Sequence, residues 1–511
     1  MSVLSLPIVI RRMHAHIRLL LLLTLLVRGG MYLAYPLQSG VDDNQAYQRY
    51  LIDRLIEGDL LIGNGRYNTG YALVMAPVAA VGQLFGRMDE RFFLLVQVSL
   101  CATIPFLLYD LVRRHHSRRA ALVVALLTLL DPHGLQWAHL FLPVWLVAFC
   151  FTLSVWIMDR GLRQGFKKGA FAAAGLLLGL AMLARINFAP VVALTGVLLL
   201  LVQVLTIRQR LVALAILGLS SLSVVAIYVL LVHVPSTGTY RLSCVGGLNM
   251  RESLKEAGVP VRAENGVATS RLLQLYALPS HLTVDWTHGS YAFWQQPGPW
   301  VPIDVSSEFL AQPAGENGPG ETYRTSLGEL VYLLGPCDTD SLLVAVTFEA
   351  LAAQPLRFVQ SLPGKMLSML TRRIAWYLPD SQQMEFRRDD SLPGLLKRAW
   401  SLRGDDYKGA IVWPLPMVVY SNLRDGTGLI KFLIVPALFW VCFGRRWFYV
   451  GATAILLAWL TWIALIDGLE ARILAPLWPL WPLLIGGMLA DLWQRLSGLP
   501  GAGRESARPS R

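Results

Sequence analysis

Charged side chains are scarce in this chain. Asp, Glu, Lys and Arg together make up 15% of its 511 residues, against about 25% in a soluble globular protein, and this shortage excludes a soluble globule. Cysteines and histidines are few, five and nine, and none of their spacings matches a zinc site; His133 and His139 read as interface residues. No basic stretch interleaved with aromatics falls on a soluble unit, so the net charge of +12 does not point to nucleic acid as a partner. The chain has no Asn-x-Ser/Thr sequence, which favours a bacterial inner membrane over the endoplasmic reticulum. It also lacks the internal repeat that many transporters show. No cofactor is evident, and a divalent metal requirement is left open.

What is present is apolar surface, with 55% hydrophobic residues. About 20 apolar helical residues cross a bilayer, and ten runs are candidates, kept largely free of charge. They are Ile17 to Tyr35, Phe92 to Val112, Ala120 to Leu130, Leu140 to Met158, Ala170 to Ala184, Ala189 to Thr206, Leu211 to Val234, Leu429 to Phe443, Phe448 to Ile466 and Ile473 to Leu492. Basic residues orient them, because Lys and Arg are retained on the cytoplasmic side. Arg11, Arg12 and Arg18 place the N-terminus inside, and Arg113, Arg114, Arg118 and Arg119 place the end of the second run inside. Tyr71 to Phe85 therefore does not cross, and Pro77 and Gly82 suit a short, broken element. Arg495, Arg504, Arg508 and Arg511 place the C-terminus inside. The first run lacks an A-x-A cleavage site and reads as a retained helix.

The expected fold class is an all-α polytopic membrane protein, with interfacial helices in the first outer loop and a long, mixed outer segment before the last three spans. Its parts are residues 1–234, an N-terminal transmembrane module whose first outer loop is 36–90; 235–427, an extracytoplasmic segment; and 428–511, the C-terminal spans with a basic tail. In the outer segment, Ala345 to Leu370 reads as two surface helices broken at Pro355 and Pro363. Cys244 and Cys337 both lie there, where oxidation is possible, so a disulfide between them is a hypothesis.

The most informative charges are Asp42 and Asp43, adjacent carboxylates just past the first span and ahead of a helix over Asn44 to Glu57. Either carboxylate can cap that helix, and a cap is compatible with catalysis because it fixes the carboxylate's direction. Arg185 ends the fifth span and Arg472 begins the tenth, both on the outer side. Each suits either snorkelling to lipid headgroups or bidentate binding of phosphate oxygens.

The order of several stretches resembles the polytopic glycosyltransferases of the GT-C class, in particular the protein mannosyltransferase and lipid A aminoarabinose transferase group. They are Val41-Asp42-Asp43-Asn44-Gln45-Ala46-Tyr47, the segment Tyr71 to Gly86, the run Gly175 to Arg185, the surface helix with Pro355 and Lys365, and Arg472 to Pro476. The resemblance implies transfer of a sugar from a polyprenyl-phosphate donor to a lipid, glycan or protein acceptor on the outer face of the bilayer. It assigns the loop base to Asp43, one turn before Tyr47, with Asp42 as the alternative or as a neighbour that raises the Asp43 pKa. It gives Arg185 and Arg472 the donor phosphate, and makes Tyr47 and Tyr67 acceptor or sugar contacts. Rival classes are a polymerase or ligase acting on lipid-diphosphate glycans and a non-enzymatic transporter, both of which would depend less on a loop carboxylate.

Overall fold

The computed structural model describes residues 15–34, 43–59, 69–84, 90–237, 246–276, 336–371, 433–444, 447–466 and 475–497, with Tyr240, Cys244 and Leu334. Among the described residues every regular element is helical, as the all-α reading requires. Helix α1 (Ala15–Thr24) passes through a π-helical turn, Leu25–Gly29, into Gly30–Ala34. It is followed by α2 (Asp43–Ile56), α3 (Gly70–Leu84), α4 (Glu90–His115), α5 (Arg118–Leu130), α6 (Val144–Arg163), α7 (Lys168–Ala184), α8 (Ala189–Leu200) and α9 (Ile207–Tyr228). The segment expected outside contributes α10 (Gly246–Glu256), α11 (Val267–Tyr276), α12 (Pro336–Ala353) and α13 (Pro355–Thr371), and the described residues close with α14 (Ile434–Gly444), α15 (Trp447–Ile466) and α16 (Leu480–Leu496).

Five stretches are long and apolar enough to cross a membrane: Ala15–Leu33, Phe92–His115, Val144–Arg163, Ile207–Ser236 and Trp447–Leu465. The other runs expected to span carry helices of 11 to 17 residues, so length alone supports five of the ten crossings. Two expectations are corrected. α3 is one continuous helix of 15 residues; Pro77 removes a single i to i−4 bond without ending it. The surface pair does break before Pro355, with a bend of 103°, but Pro363 lies inside α13 and does not break it.

Close backbone approach sets the packing of α7 on α9. A Cβ at Gly175 would stand 2.6 Å from the Leu217 carbonyl oxygen, and one at Gly179 2.6 Å from that of Ser221. Four residues apart on one helix, these glycines let the two backbones meet, the usual means of association where lipid removes the hydrophobic drive between helices. The Ser221 hydroxyl donates to the Gly175 carbonyl at 2.9 Å across the same seam.

The arginine cluster at the end of α4 is also a structural knot. Asp159 on α6 accepts from Arg114 at 2.9 Å and Arg163 at 3.1 Å and pairs with His115 at 2.8 Å. His116 bridges the Tyr449 hydroxyl at 2.9 Å and the Asp491 carboxylate at 2.8 Å, while Trp440 donates to Asp491 at 3.1 Å. These contacts tie α4 to α6, α14, α15 and α16 at one end of the bundle.

Between α9 and α14, Cys244 and Cys337 form the disulfide anticipated as possible. α12 then supplies two carboxylates to neighbouring helix starts: Asp340 accepts from Gly247 N–H at 2.6 Å, and Glu349 from Ala268 and Thr269 N–H at 2.9 and 2.7 Å. Each carboxylate meets otherwise unbonded helix N–H groups and the positive end of a helix dipole. Lys365 on α13 donates to the Ser253 carbonyl and, at 2.8 Å, to its hydroxyl, which donates in turn to the Ala464 carbonyl at 2.9 Å. The segment is thereby fastened to the end of α15 opposite the arginine knot.

Candidate active site

That opposite end is where the sequence places its chemistry. Leu51 and Ile52 of α2 are fully buried in the core shared with α3. Gly58, with φ of +86°, turns the chain after α2, a backbone state that glycine adopts at no steric cost. α3 starts at Gly70, where a Cβ would lie 2.3 Å from the Leu183 carbonyl carbon and 2.4 Å from the Ala184 nitrogen. The first residue of α3 is therefore in backbone contact with the last turn of α7.

Arg185 follows that turn directly. It caps α7 in an extended conformation, with φ −153° and ψ 101°, its N–H donates to the Ala181 carbonyl at 2.9 Å, and its carbonyl accepts from Phe188 N–H at 2.9 Å. The side chain is half-buried and engaged with other groups. Of the other expected site residues, Asp43 opens α2, which packs against α3, while α3 meets the end of α7 at Gly70. The side chains of Asp43 and Tyr47, and the whole of Asp42, Tyr67 and Arg472, lie outside the described residues.

One turn of α3 is held by a buried relay. The Tyr71 hydroxyl donates to Gln97 Oε1 at 2.7 Å, and Gln97 Nε2 donates to the carbonyls of Ala138 and Leu140 at 3.0 and 3.1 Å. Phe141 and Trp145 meet the Tyr71 ring edge-on at centroid distances of 5.2 and 6.1 Å. The loop between α5 and α6 thus fixes the start of α3, and through Gly70 the setting of Arg185. His139, expected at the interface, is buried within this loop.

Two ionisable residues escape the sequence reading. Arg28 lies inside the first apolar run, 2% exposed, in the π-helical turn of the first span, and its Nη1 donates to the Gly134 carbonyl at 2.6 Å. His233 is likewise buried in a π-helical turn, Val229–His233, after α9, with its ring 5.9 Å from that of Tyr228. Single-turn π-helices inside α-helices are frequent at functional sites, but neither turn has a composition that announces it. The signal available for Arg28 is its charge alone, within a run otherwise long enough to span. Among the described residues no group of three or more His, Cys, Asp or Glu is placed to hold a metal ion.

Residues 73–229 match the family model described as dolichyl-phosphate-mannose-protein mannosyltransferase. No curated protein matches the chain. Among solved structures, ArnT from Cupriavidus metallidurans bound to undecaprenyl phosphate aligns at 12% identity and a TM-score of 0.35, over 95% of this chain and 80% of that one. The same protein in the apo state aligns at 13% identity and a TM-score of 0.32, over 93% and 78%. Likenesses this loose assign no residue role. The family match bears out the GT-C resemblance over the stretch that contains Gln97, the 131–142 loop and Arg185; Asp43 and Arg472 fall outside it.

Proposed function

We propose that this chain is a membrane glycosyltransferase of the GT-C class that moves a sugar from a polyprenyl-phosphate donor to an acceptor hydroxyl at the outer face of a bacterial inner membrane. The observation that carries the reading is the contact of Gly70 with Leu183 and Ala184: it joins the helix reached from the acidic loop to the arginine end of α7, inside the stretch that matches the family model. Placing this end outside is supported by the positive-inside rule, with the basic knot of α4 and α6 at the opposite end.

The chemistry is an inverting displacement. Asp43 takes the proton of the acceptor hydroxyl, whose oxygen attacks the anomeric carbon as the bond from that carbon to the phosphate oxygen breaks. The electron pair leaves with polyprenyl phosphate, and Arg185 and Arg472 stabilise the negative charge that develops there. Arg is suited to this because it stays charged and meets phosphate oxygens bidentately. Tyr47 and Tyr67 contact the sugar or the acceptor. The acceptor is a lipid, glycan or protein, and any metal requirement is open.

Mass spectrometry of lipid-linked sugars and envelope glycans from membranes with and without the protein tests this reading. A polyprenyl-phosphate sugar is expected to be depleted, and one glycan, lipid or protein to gain its sugar, only where the protein is present. Identical profiles would refute the proposal.

A further inference from the structure

The carboxylates at the end of the bundle that carries the knot are already paired. Asp110 meets Arg113 at 2.8 Å and Arg114, Asp159 meets Arg114, Arg163 and His115, and Asp491 meets His116. Further basic residues are left over at the same end. Arg118 and Arg119 open α5, Arg160 lies in the last turn of α6, and Lys167 and Lys168 begin α7 as its cap and first residue. All of these are exposed, and none forms an ion pair with a carboxylate among the described residues.

They share one surface. Arg163 Nη2 reaches the Arg114 carbonyl at 3.5 Å and the His115 ring at 3.4 Å, so the end of α6 lies against the end of α4, just ahead of Arg118. At Gly161 a Cβ would stand 2.6 Å from the Ala170 Cβ and 3.6 Å from the Lys167 carbonyl oxygen, which sets the start of α7 against the same end of α6. Arg160 is held in place: its guanidinium lies over the Trp156 ring, 4.5 Å from the centroid, and that indole N–H donates to Asp110 at 2.9 Å. Tryptophan is enriched at the boundary between hydrocarbon and headgroups, and Arg160 stands one turn beyond it.

Their own helices do not explain these charges. A cation in the first turn faces the positive end of the helix dipole, so Arg118, Arg119 and Lys168 do not stabilise the helices they open. The positive-inside rule asks only for basic residues at one end, not for a guanidinium fixed over an indole. A continuous positive surface at headgroup depth, with no carboxylate to neutralise it, is complementary to a layer of lipid phosphates.

We propose that Arg118, Arg119, Arg160, Lys167 and Lys168 form a docking surface for anionic phospholipids, phosphatidylglycerol in charge and headgroup, in the leaflet at this end of the bundle. The guanidinium and ammonium groups donate to the phosphodiester oxygens. The bound lipids screen the repulsion among like charges beside the knot that joins α4 to α6, α14, α15 and α16. Such a surface needs only a membrane-embedded bundle, whatever transfer takes place at the other end.

The test titrates full-length protein in neutral detergent with phosphatidylglycerol, phosphatidylcholine or inorganic pyrophosphate, with bound lipid counted by native mass spectrometry and Tm read in parallel. The variants are Arg118→Gln with Arg119→Gln, Lys167→Gln with Lys168→Gln, and Arg160→Gln. Arg271→Gln, at an exposed position on α11 away from this surface, controls for net charge. One basic residue at an anionic surface contributes roughly fivefold in affinity. Wild type is therefore expected to hold phosphatidylglycerol roughly tenfold or more tighter than phosphatidylcholine and to gain Tm from it. Each double variant should weaken phosphatidylglycerol binding by roughly tenfold to thirtyfold, and Arg160→Gln by roughly fivefold, with phosphatidylcholine unaffected. Should a double variant not fold, the other variants and the wild-type preference decide. Equal affinity of wild type for the two lipids overturns the surface, as does wild-type affinity in all folded variants. An equal loss in Arg271→Gln assigns the effect to net charge and overturns it too. Pyrophosphate bound as tightly as phosphatidylglycerol marks a soluble anion as the occupant and likewise overturns the lipid.

Discussion

Gly70 and Ala184 touch backbone to backbone: a Cβ at position 70 would lie 2.4 Å from the Ala184 nitrogen. Neither backbone can yield as a flexible side chain would, so Gly70→Ala must push the start of α3 away from the end of α7. Overpacking of this kind costs about 1 to 3 kcal/mol. A lowered Tm together with a larger fall in sugar transfer is expected, because the displacement occurs next to Arg185. A variant with unchanged Tm and unchanged transfer would show that the contact does not set the site.

The seam between α7 and α9 makes a second prediction. Gly175→Leu and Gly179→Leu each place a side chain where a carbonyl oxygen stands 2.6 Å from the Cβ position. Both should reduce the yield of folded protein and lower the Tm, whereas Gly169→Ala, where a Cβ meets nothing within 4 Å, should change neither. Equal behaviour of the three variants would contradict a packing role for the two glycines.

Acid should loosen the packing of α12 on α11 at Glu349. Burial pushes this carboxyl up, but the N–H groups of Ala268, Thr269 and Val267 and the Thr269 hydroxyl outweigh that and hold it below its ordinary value. A depressed folded-state pKa adds stability that is present above the unfolded value of 4.5 and is lost as pH falls through the folded one. Limited proteolysis at α11 should therefore increase as the pH falls below 4.5. Glu349→Gln should lose about 1 to 2 kcal/mol at neutral pH and show a flatter acid dependence. An acid profile identical to wild type would exclude the carboxylate as the source.

The helical character of this fold is legible in the sequence because a helix long enough to span is announced by a run of apolar residues. The helix read over Asn44 to Glu57 and the break before Pro355 follow from local chemistry of that sort, whereas the Cys244–Cys337 bond, 93 positions apart, could be raised only as a hypothesis from the two cysteines sharing a segment. The proline readings at 77 and 363 failed because neighbouring helices stabilise a helix that lacks one backbone bond. Contacts between residues far apart in sequence were out of reach: His116 meets Tyr449 and Asp491, 333 and 375 positions away. Arg28 was overlooked for another reason, since one charge hardly alters the mean hydropathy of a span-length run. The π-helical turn that holds it and its bond to Gly134 belong to the folded chain alone.

The central claim is that Asp43 is the base for transfer from a polyprenyl-phosphate sugar. Its most direct test is the rate at which purified wild type and Asp43→Asn, matched for Tm and reconstituted in vesicles, consume lipid-linked sugars extracted from the host membrane. A positioned base contributes roughly 10² to 10⁴ in rate, so the variant is expected to bind donor normally and to transfer slower by that factor. Wild-type turnover by a well-folded Asp43→Asn protein would contradict the account.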